Sequence, residues 1–266
     1  MRKKVVIISP NPESYYTTSV AELLLRNEID IVGIFVKKFT FERFKHEFSR
    51  DGVRLIKKIW SKLILKSKFY NTNETKNIIN FRKKHNITLK NVRLLNKKKS
   101  AIYFVDNINS FFVESKLLEM SPDLVVFTGG GLIRENIIKN SGNGIINCHM
   151  GVLPMYRGMD VVEWPILLND YENIGVTTHF MGKGVDTGDI LKIKKISLKV
   201  NDSIQDLRIR LEPVMVEQMV STVTEFFENK INPLKQKLDD GKQYFIMDEN
   251  LIALCQKKIS EETGKQ

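Results

Sequence analysis

The sequence predicts an α/β fold: a mostly parallel, twisted sheet flanked by helices. Three observations carry this. Short runs rich in Val and Ile, among them KVVIIS, IDIVGIFV, DLVVFTGGG and GIIN, read as buried strands. The first two bracket AELLLRNE, and this strand-helix-strand rhythm favours parallel pairing through crossovers. Polar and glycine-rich residues stand at several strand ends, where open α/β sheets hold ligands. The architecture is therefore Rossmann-like, with a short C-terminal helix/β-hairpin extension.

The elements follow in order. KKVVIIS is the first strand, the turn PNPESYY follows, and Thr17, Thr18 or Ser19 is placed to cap the first helix. The first turn lacks G-x-G-x-x-G, against a dinucleotide fingerprint. From about residue 37 to 100 Lys and Arg dominate. Val53, Ile56, Trp60 and Ile64 recur at helical spacing with Lys57, Lys58 and Lys62 between them. This reads as an amphipathic helix with a solvated basic face; the alternative is a basic wall for an anionic substrate. His46 and His85 have no partner motif and read as surface residues. AIYFVDNIN is a strand, and SFFVESKLLEMSP a helix stopped by Pro122. After the strand DLVVFTGGG, Arg134 opens RENIIKN, which Gly142 and Gly144 end. VVEWPILLND reads as an apolar helix, and GVTTHF and KKISLKV as strands. Asn201, Asp202 or Ser203 caps a long helix in which Pro213 predicts a kink or break. In the tail, Asp240-Gly241 is a hairpin-type turn beside the strand YFIM. Domain organisation is expected as 1–230 plus an extension, 231–266.

With 266 residues the chain can bury a sizeable core. Cys148 and Cys255 are too few for a disulfide framework or structural zinc, so a reducing, cytoplasmic setting without metal is expected. The basic start meets Pro10 and Pro12 too soon for a signal peptide. No apolar run reaches the roughly 18 residues of a membrane helix. A net charge of +11 fits nucleic acid or an anionic surface, but it also fits a Lys/Asn/Ile-rich coding bias with a mildly basic ligand site. Without ordered base-stacking aromatics, nucleic acid is not expected as a partner.

The segment from Gly142 to Lys192 organises the chain. Asn147 and His149 close one strand and point to the same side; Cys148 points the other way, into the core. Asp186 lies in the loop after GVTTHF, and His179 on that strand reads as structural. Asp186-Thr187-Gly188 also spells the aspartic-protease triplet, but only one copy exists. Gly182, Gly184 and Gly188 lack the Gly-Lys-Ser/Thr of a phosphate loop, and the carboxylate spacing of a calcium loop is missing.

Asn147-Cys148-His149, Leu153-Pro154-Met155-Tyr156-Arg157-Gly158, Gly175-Val176-Thr177 and Asp186-Thr187-Gly188, in that order, resemble the formyltransferase family that uses 10-formyltetrahydrofolate. The resemblance implies that 1–230 is a catalytic domain. In it, backbone at Gly131, Leu132, Ile133, Gly184 and Val185 would meet the folate, and Tyr156, Arg157 and Trp164 would meet the acceptor. Transfer of a formyl group between nitrogens develops an oxyanion and releases a proton. Asn147 supplies a fixed donor, His149 an electrostatic stabiliser or proton shuttle, and Asp186 a proton sink that keeps His149 charged or oriented. For Tyr156 and Trp164 the alternative role is to anchor the loop in the core. Only about 35 residues follow the long helix, fewer than a domain of typical size. The resemblance then favours sugar N-formyltransferases, acting on a nucleotide-linked amino sugar, expected to be a 4-amino-4,6-dideoxy sugar for surface glycan or pseudaminic-acid-type synthesis, as a homodimer. The alternatives are glycinamide ribonucleotide formylation, methionyl-tRNA formylation, or a non-catalytic folate- or RNA-binding module.

Overall fold

The computed structural model describes residues 2–38, 73–98 and 100–264. The helix expected around Val53–Ile64, and His46, lie outside the described residues. Seven strands form one sheet: β1 (Lys4–Ser9), β2 (Asp30–Lys37), β3 (Ala101–Val105), β4 (Leu124–Phe127), β5 (Ile145–His149), β7 (Gly175–Phe180) and β8 (Ile190–Lys195). Their order is β3-β2-β1-β4-β5-β7-β8. From β3 to β5 every pairing is parallel; β7 runs antiparallel to β5 and to β8. The order reverses between β1 and β4, so a crevice is expected outside their carboxyl ends.

Alternation along the strands feeds two apolar layers. Val5 and Ile7 of β1 join Ile146 and Cys148 of β5 under the helices Tyr15–Arg26 and Ile204–Phe227. Val6 and Ile8 join Ile145 on the opposite face, under the helix Phe111–Met120. Asn147 and His149 share the parity of Ile145, so they face away from the long helix.

Local chemistry adjusts several boundaries. The first helix begins at Tyr15 with Ser14 as its cap; Thr17, Thr18 and Ser19 lie inside it, buried. The Ser14 hydroxyl accepts from the Thr17 N–H at 3.2 Å, so a donor of the first turn is satisfied by a cap at least three residues earlier than expected. Ser203 caps the long helix in a reciprocal box with Asp206, a feature worth about 1 kcal/mol. That helix runs unbroken from Ile204 to Phe227 through Pro213. An interior proline costs roughly 3 kcal/mol. Burial of Leu207, Leu211, Val216, Met219 and Val223, at roughly 1.5–3 kcal/mol each, outweighs that cost. The expected helix VVEWPILLND shrinks to Glu163–Leu167.

The extension holds a helix, Glu249–Thr263, capped by Asp248 and burying Cys255 and Ile259. Among its described residues no hairpin forms. A short strand β9 (Lys242–Tyr244) instead pairs in parallel with β6 (Tyr156–Gly158). Gly241 is extended, and a Cβ there would lie 1.9 Å from the Pro154 carbonyl oxygen. The tail is laid against the 154–158 loop too closely for a two-residue turn back on itself.

Candidate active site

Strand register builds the site. In the antiparallel β5/β7 pair Asn147 stands opposite His179, and His149 opposite Thr177. Directly opposed residues share a face. Asn147, His149 and His179 therefore converge at one end of the sheet, while Cys148 turns into the main core, where burial pushes its thiol well up.

Asp186 completes the cluster. Its Oδ2 lies 3.4 Å from His149 Nδ1 and its Oδ1 lies 3.5 Å from His179 Nε2. The Gly158 N–H donates to Oδ2 at 3.0 Å. Asp186 has a left-handed φ of 52°, and Gly188 beyond it is wedged so that a Cβ would lie 1.8 Å from the Phe180 carbonyl oxygen. Burial alone would raise the Asp186 carboxyl. The His179 ring within hydrogen-bonding reach, the charge that His149 or His179 can carry and the Gly158 N–H outweigh burial and hold it below the ordinary value.

His149 is buried, and its Nε2 lies 2.9 Å from the Tyr156 carbonyl oxygen, which fixes the proton on Nε2. Burial drives this imidazole below its ordinary pKa, with Asp186 and the Tyr156 carbonyl opposing. With Nε2 donating to Tyr156, Asp186 can orient the ring through Nδ1 only when that nitrogen carries a proton too, so orienting His149 and holding it charged go together, against the pull of burial. Gly151 lets the following loop close over the ring: a Cβ there would meet His149 Nε2 at 2.7 Å.

His179 is the residue the sequence reading left out of the site. Its Nδ1 lies 2.7 Å from the Phe180 carbonyl oxygen, and its Nε2 lies between the Asn147 amide, at 3.2 Å from Nδ2, and the Asp186 carboxylate, at 3.5 Å from Oδ1. It thereby orients the Asn147 amide. The signal was present in the sequence as a period of two, since Thr177 and His179 must share a face of an edge-side strand.

The glycine-rich exit of β4 leaves the sheet beside Asn147, because Phe127 pairs with Asn147. Gly129, Gly130 and Gly131 all have positive φ, at 132°, 136° and 105°. Lys37 Nζ donates to the Gly130 carbonyl at 2.9 Å. Gly131 and Leu132 are exposed, whereas the Ile133 side chain is buried in the second apolar layer, so only its backbone is open to a ligand. The Leu132 carbonyl already accepts from Asn109 Nδ2 at 2.9 Å. Gly184 is exposed and Val185 half-buried, directly before Asp186.

The expected acceptor residues have other partners. Tyr156 is buried, donates its hydroxyl to Asp170 at 2.6 Å and stacks on Tyr244. Arg157 is 8% exposed and donates to the Leu238 and Gly241 carbonyls at 3.1 and 3.2 Å. Trp164 donates to the Phe245 carbonyl at 3.0 Å and packs on Tyr244. All three bind the tail, which a buried guanidinium needs and a loop of this composition did not announce. These contacts support the anchoring alternative for the three residues.

At the same end of the sheet a cleft of about 770 Å³ opens between the start of the first helix and the helix Asn73–Lys84. Tyr15, Arg82, Lys83 and Lys90 are among its walls. A second cleft, of about 450 Å³, lies at the opposite end, by Arg2, Lys3 and Phe227. Among the described residues no group of three or more His, Cys, Asp or Glu is placed to hold a metal ion, and no helix is long and apolar enough to cross a membrane.

Comparison with known proteins gives the family and the fold. The family model described as Formyl transferase matches residues 88–223 and includes all members of the cluster. Methionyl-tRNA formyltransferase of Caldanaerobacter subterraneus subsp. tengcongensis is 35% identical over 138 residues, covering 52% of this chain and 44% of the relative. The chain thus spans less than half the length of that relative. An N-formyltransferase from Helicobacter canadensis, solved with folinic acid and dTDP-3-aminofucose, superposes with a TM-score of 0.59 at 15% identity, covering 98% of this chain and 81% of that one. Phosphoribosylglycinamide formyltransferase from Bacillus halodurans gives 0.56 at 16% identity, covering 85% of this chain and 95% of that one. Both share the fold. With the family match spanning slightly more than half of the sequence, this chain belongs to the formyl transferase family, whose members are enzymes that transfer formyl groups.

Proposed function

We propose that this chain is an N-formyltransferase that moves the formyl group of 10-formyltetrahydrofolate to the amine of a nucleotide-linked amino sugar. One observation carries the reading: Asn147, His149 and Asp186 meet at a strand end while the cysteine between the first two faces the core. An amide donor, an oriented imidazole and an ionised carboxylate suit direct attack by an amine. A bond forms from the amine nitrogen to the formyl carbon, and the bond from that carbon to the folate nitrogen breaks. The Asn147 amide donates to the formyl oxygen as negative charge develops there, a contribution of about 10²–10³ in rate for one such donor. Asp186 takes the proton that the attacking amine loses, and the departing folate nitrogen gains one in turn, with His149 as the shuttle between them.

The donor site in this reading lies at the exit of β4, where Phe127 pairs with Asn147 and Gly129–Gly131 bring no side chains, with the backbone of Gly131, Leu132 and Ile133 on one side and that of Gly184 and Val185, directly before Asp186, on the other. Folate, when bound, supplies an activated formyl carbon.

The Helicobacter canadensis fold matches nearly the whole chain, extension included, which supports the amino-sugar reading over the ribonucleotide one. Residues 1–230 form the catalytic domain in this reading, 231–266 an extension, and the enzyme is a cytoplasmic homodimer. Identity to a methionyl-tRNA formyltransferase keeps methionyl-tRNA as the second candidate acceptor. Tetrahydrofolate release from 10-formyltetrahydrofolate, measured with amino-sugar nucleotides, glycinamide ribonucleotide and methionyl-tRNA in parallel, decides. Turnover with an amino-sugar nucleotide is expected; turnover with either other acceptor alone overturns the acceptor assignment.

A further inference from the structure

We propose that Gln236, in the C-terminal tail, is a positioning residue for Asp186. The inference rests on the reading above, in which Asp186 acts at the reacting carbon.

Gln236 Nε2 donates to the Asp186 carbonyl at 2.9 Å and to the Gly188 carbonyl at 2.5 Å. One amide nitrogen thus spans both sides of the loop residue whose carboxylate enters the cluster. That loop needs an external clamp. Asp186 sits at a left-handed φ, which a non-glycine residue holds only when its surroundings over-determine it. Between β7 and β8 the segment has no regular secondary structure of its own.

The tail is well anchored where it delivers Gln236. Two residues earlier, Leu234 exchanges both backbone hydrogen bonds with Ile190, each 2.8 Å. A few residues later Lys242–Tyr244 pairs with Tyr156–Gly158. This second attachment matters because the Gly158 N–H is the donor to Asp186 Oδ2 and the Tyr156 carbonyl is the acceptor for His149. The tail therefore holds Asp186 from behind and holds the backbone groups that face it and His149 from the front. The Gln236 Oε1 is buried with no partner among the described residues.

The step that Gln236 controls is geometric. It exchanges no proton and touches no substrate; it keeps the carboxylate within reach of both imidazoles and of the attacking amine. Misplacement by about 1 Å can cost roughly 10²-fold in rate.

The experiment compares Gln236→Leu, which removes both donors, with Gln236→Lys, whose ammonium can donate to both carbonyls. Active-site concentration is fixed by folate binding. Gln236→Leu is expected to lower kcat about tenfold to a hundredfold, with KM for donor and acceptor held within about twofold of wild type. Its acid limb of kcat should move to higher pH as Asp186 leaves the imidazoles. Gln236→Lys is expected to recover most of the rate. Unchanged kcat per folate site and an unchanged acid limb in Gln236→Leu would overturn the proposal and leave Gln236 a structural brace. A failure of the acceptor reading is distinguishable, because NMR titration of His149 needs no turnover. Its midpoint falls in Gln236→Leu if the carboxylate has moved away; an unchanged midpoint overturns the proposal whatever the acceptor.

Discussion

Replacing Asp186 by Asn probes the cluster with little change of shape. The wild-type carboxylate accepts the Gly158 N–H at 3.0 Å and lies 3.4 and 3.5 Å from two imidazoles. The amide oxygen of the variant can still accept from Gly158, so the loop keeps its backbone contact and the fold should lose only about 1 kcal/mol. What the amide cannot do is take a proton. Positioned proton transfer is worth about 10²–10⁴ in rate, and each decade corresponds to about 1.36 kcal/mol of barrier. Asp186→Asn should therefore lower kcat by about 10³, or roughly 4 kcal/mol, with KM for the folate little changed. Because the wild-type carboxyl is held below its ordinary value, the base stays ionised throughout the near-neutral range, and the loss should be uniform from about pH 6 to 8. The assay is single-turnover tetrahydrofolate release with donor and acceptor saturating. A rate within about threefold of wild type, in folded protein, would remove Asp186 from the mechanism.

Acid stability follows from His149. Its folded pKa is depressed, so its neutral form contributes stability that is fully present above the unfolded value of about 6.5 and lost as pH falls from there through the folded pKa. The urea midpoint of the wild type should drop across that window, and His149→Asn should flatten it; parallel curves would contradict the burial argument. Arg157→Leu strands the Leu238 and Gly241 carbonyls and should cost about 2–4 kcal/mol of stability by denaturant titration. If Arg157 instead met the acceptor, KM for the acceptor would rise while the unfolding midpoint stayed in place.

Much of the fold was legible because the strands are pure apolar runs with period-two faces. The parallel half follows from crossovers, and the alternation about Cys148 placed Asn147 and His149 together before any coordinates. Long-range register was not legible. That β7 pairs antiparallel with β5, setting His179 opposite Asn147, depends on a pairing between segments some thirty residues apart. The tail was misread for a related reason. Asp240-Gly241 has hairpin chemistry, yet the 154–158 loop offers a free strand edge and Arg157 offers two donors, so tertiary partners prevailed over the local turn. The same tail residues engage Tyr156 and Trp164, the anchoring that the sequence held open for both.

The central claim is that an amine attacks the formyl carbon directly within the Asn147, His149 and Asp186 cluster. Rapid quench with 10-formyltetrahydrofolate labelled in the formyl carbon, with and without an amino-sugar nucleotide, tests it most directly. Label should pass from folate to the sugar amine with none on the protein at any time, and Asp186→Asn should stall it on the folate. Label that accumulates covalently on the protein, or transfer that proceeds at the wild-type rate in Asp186→Asn, would contradict the account.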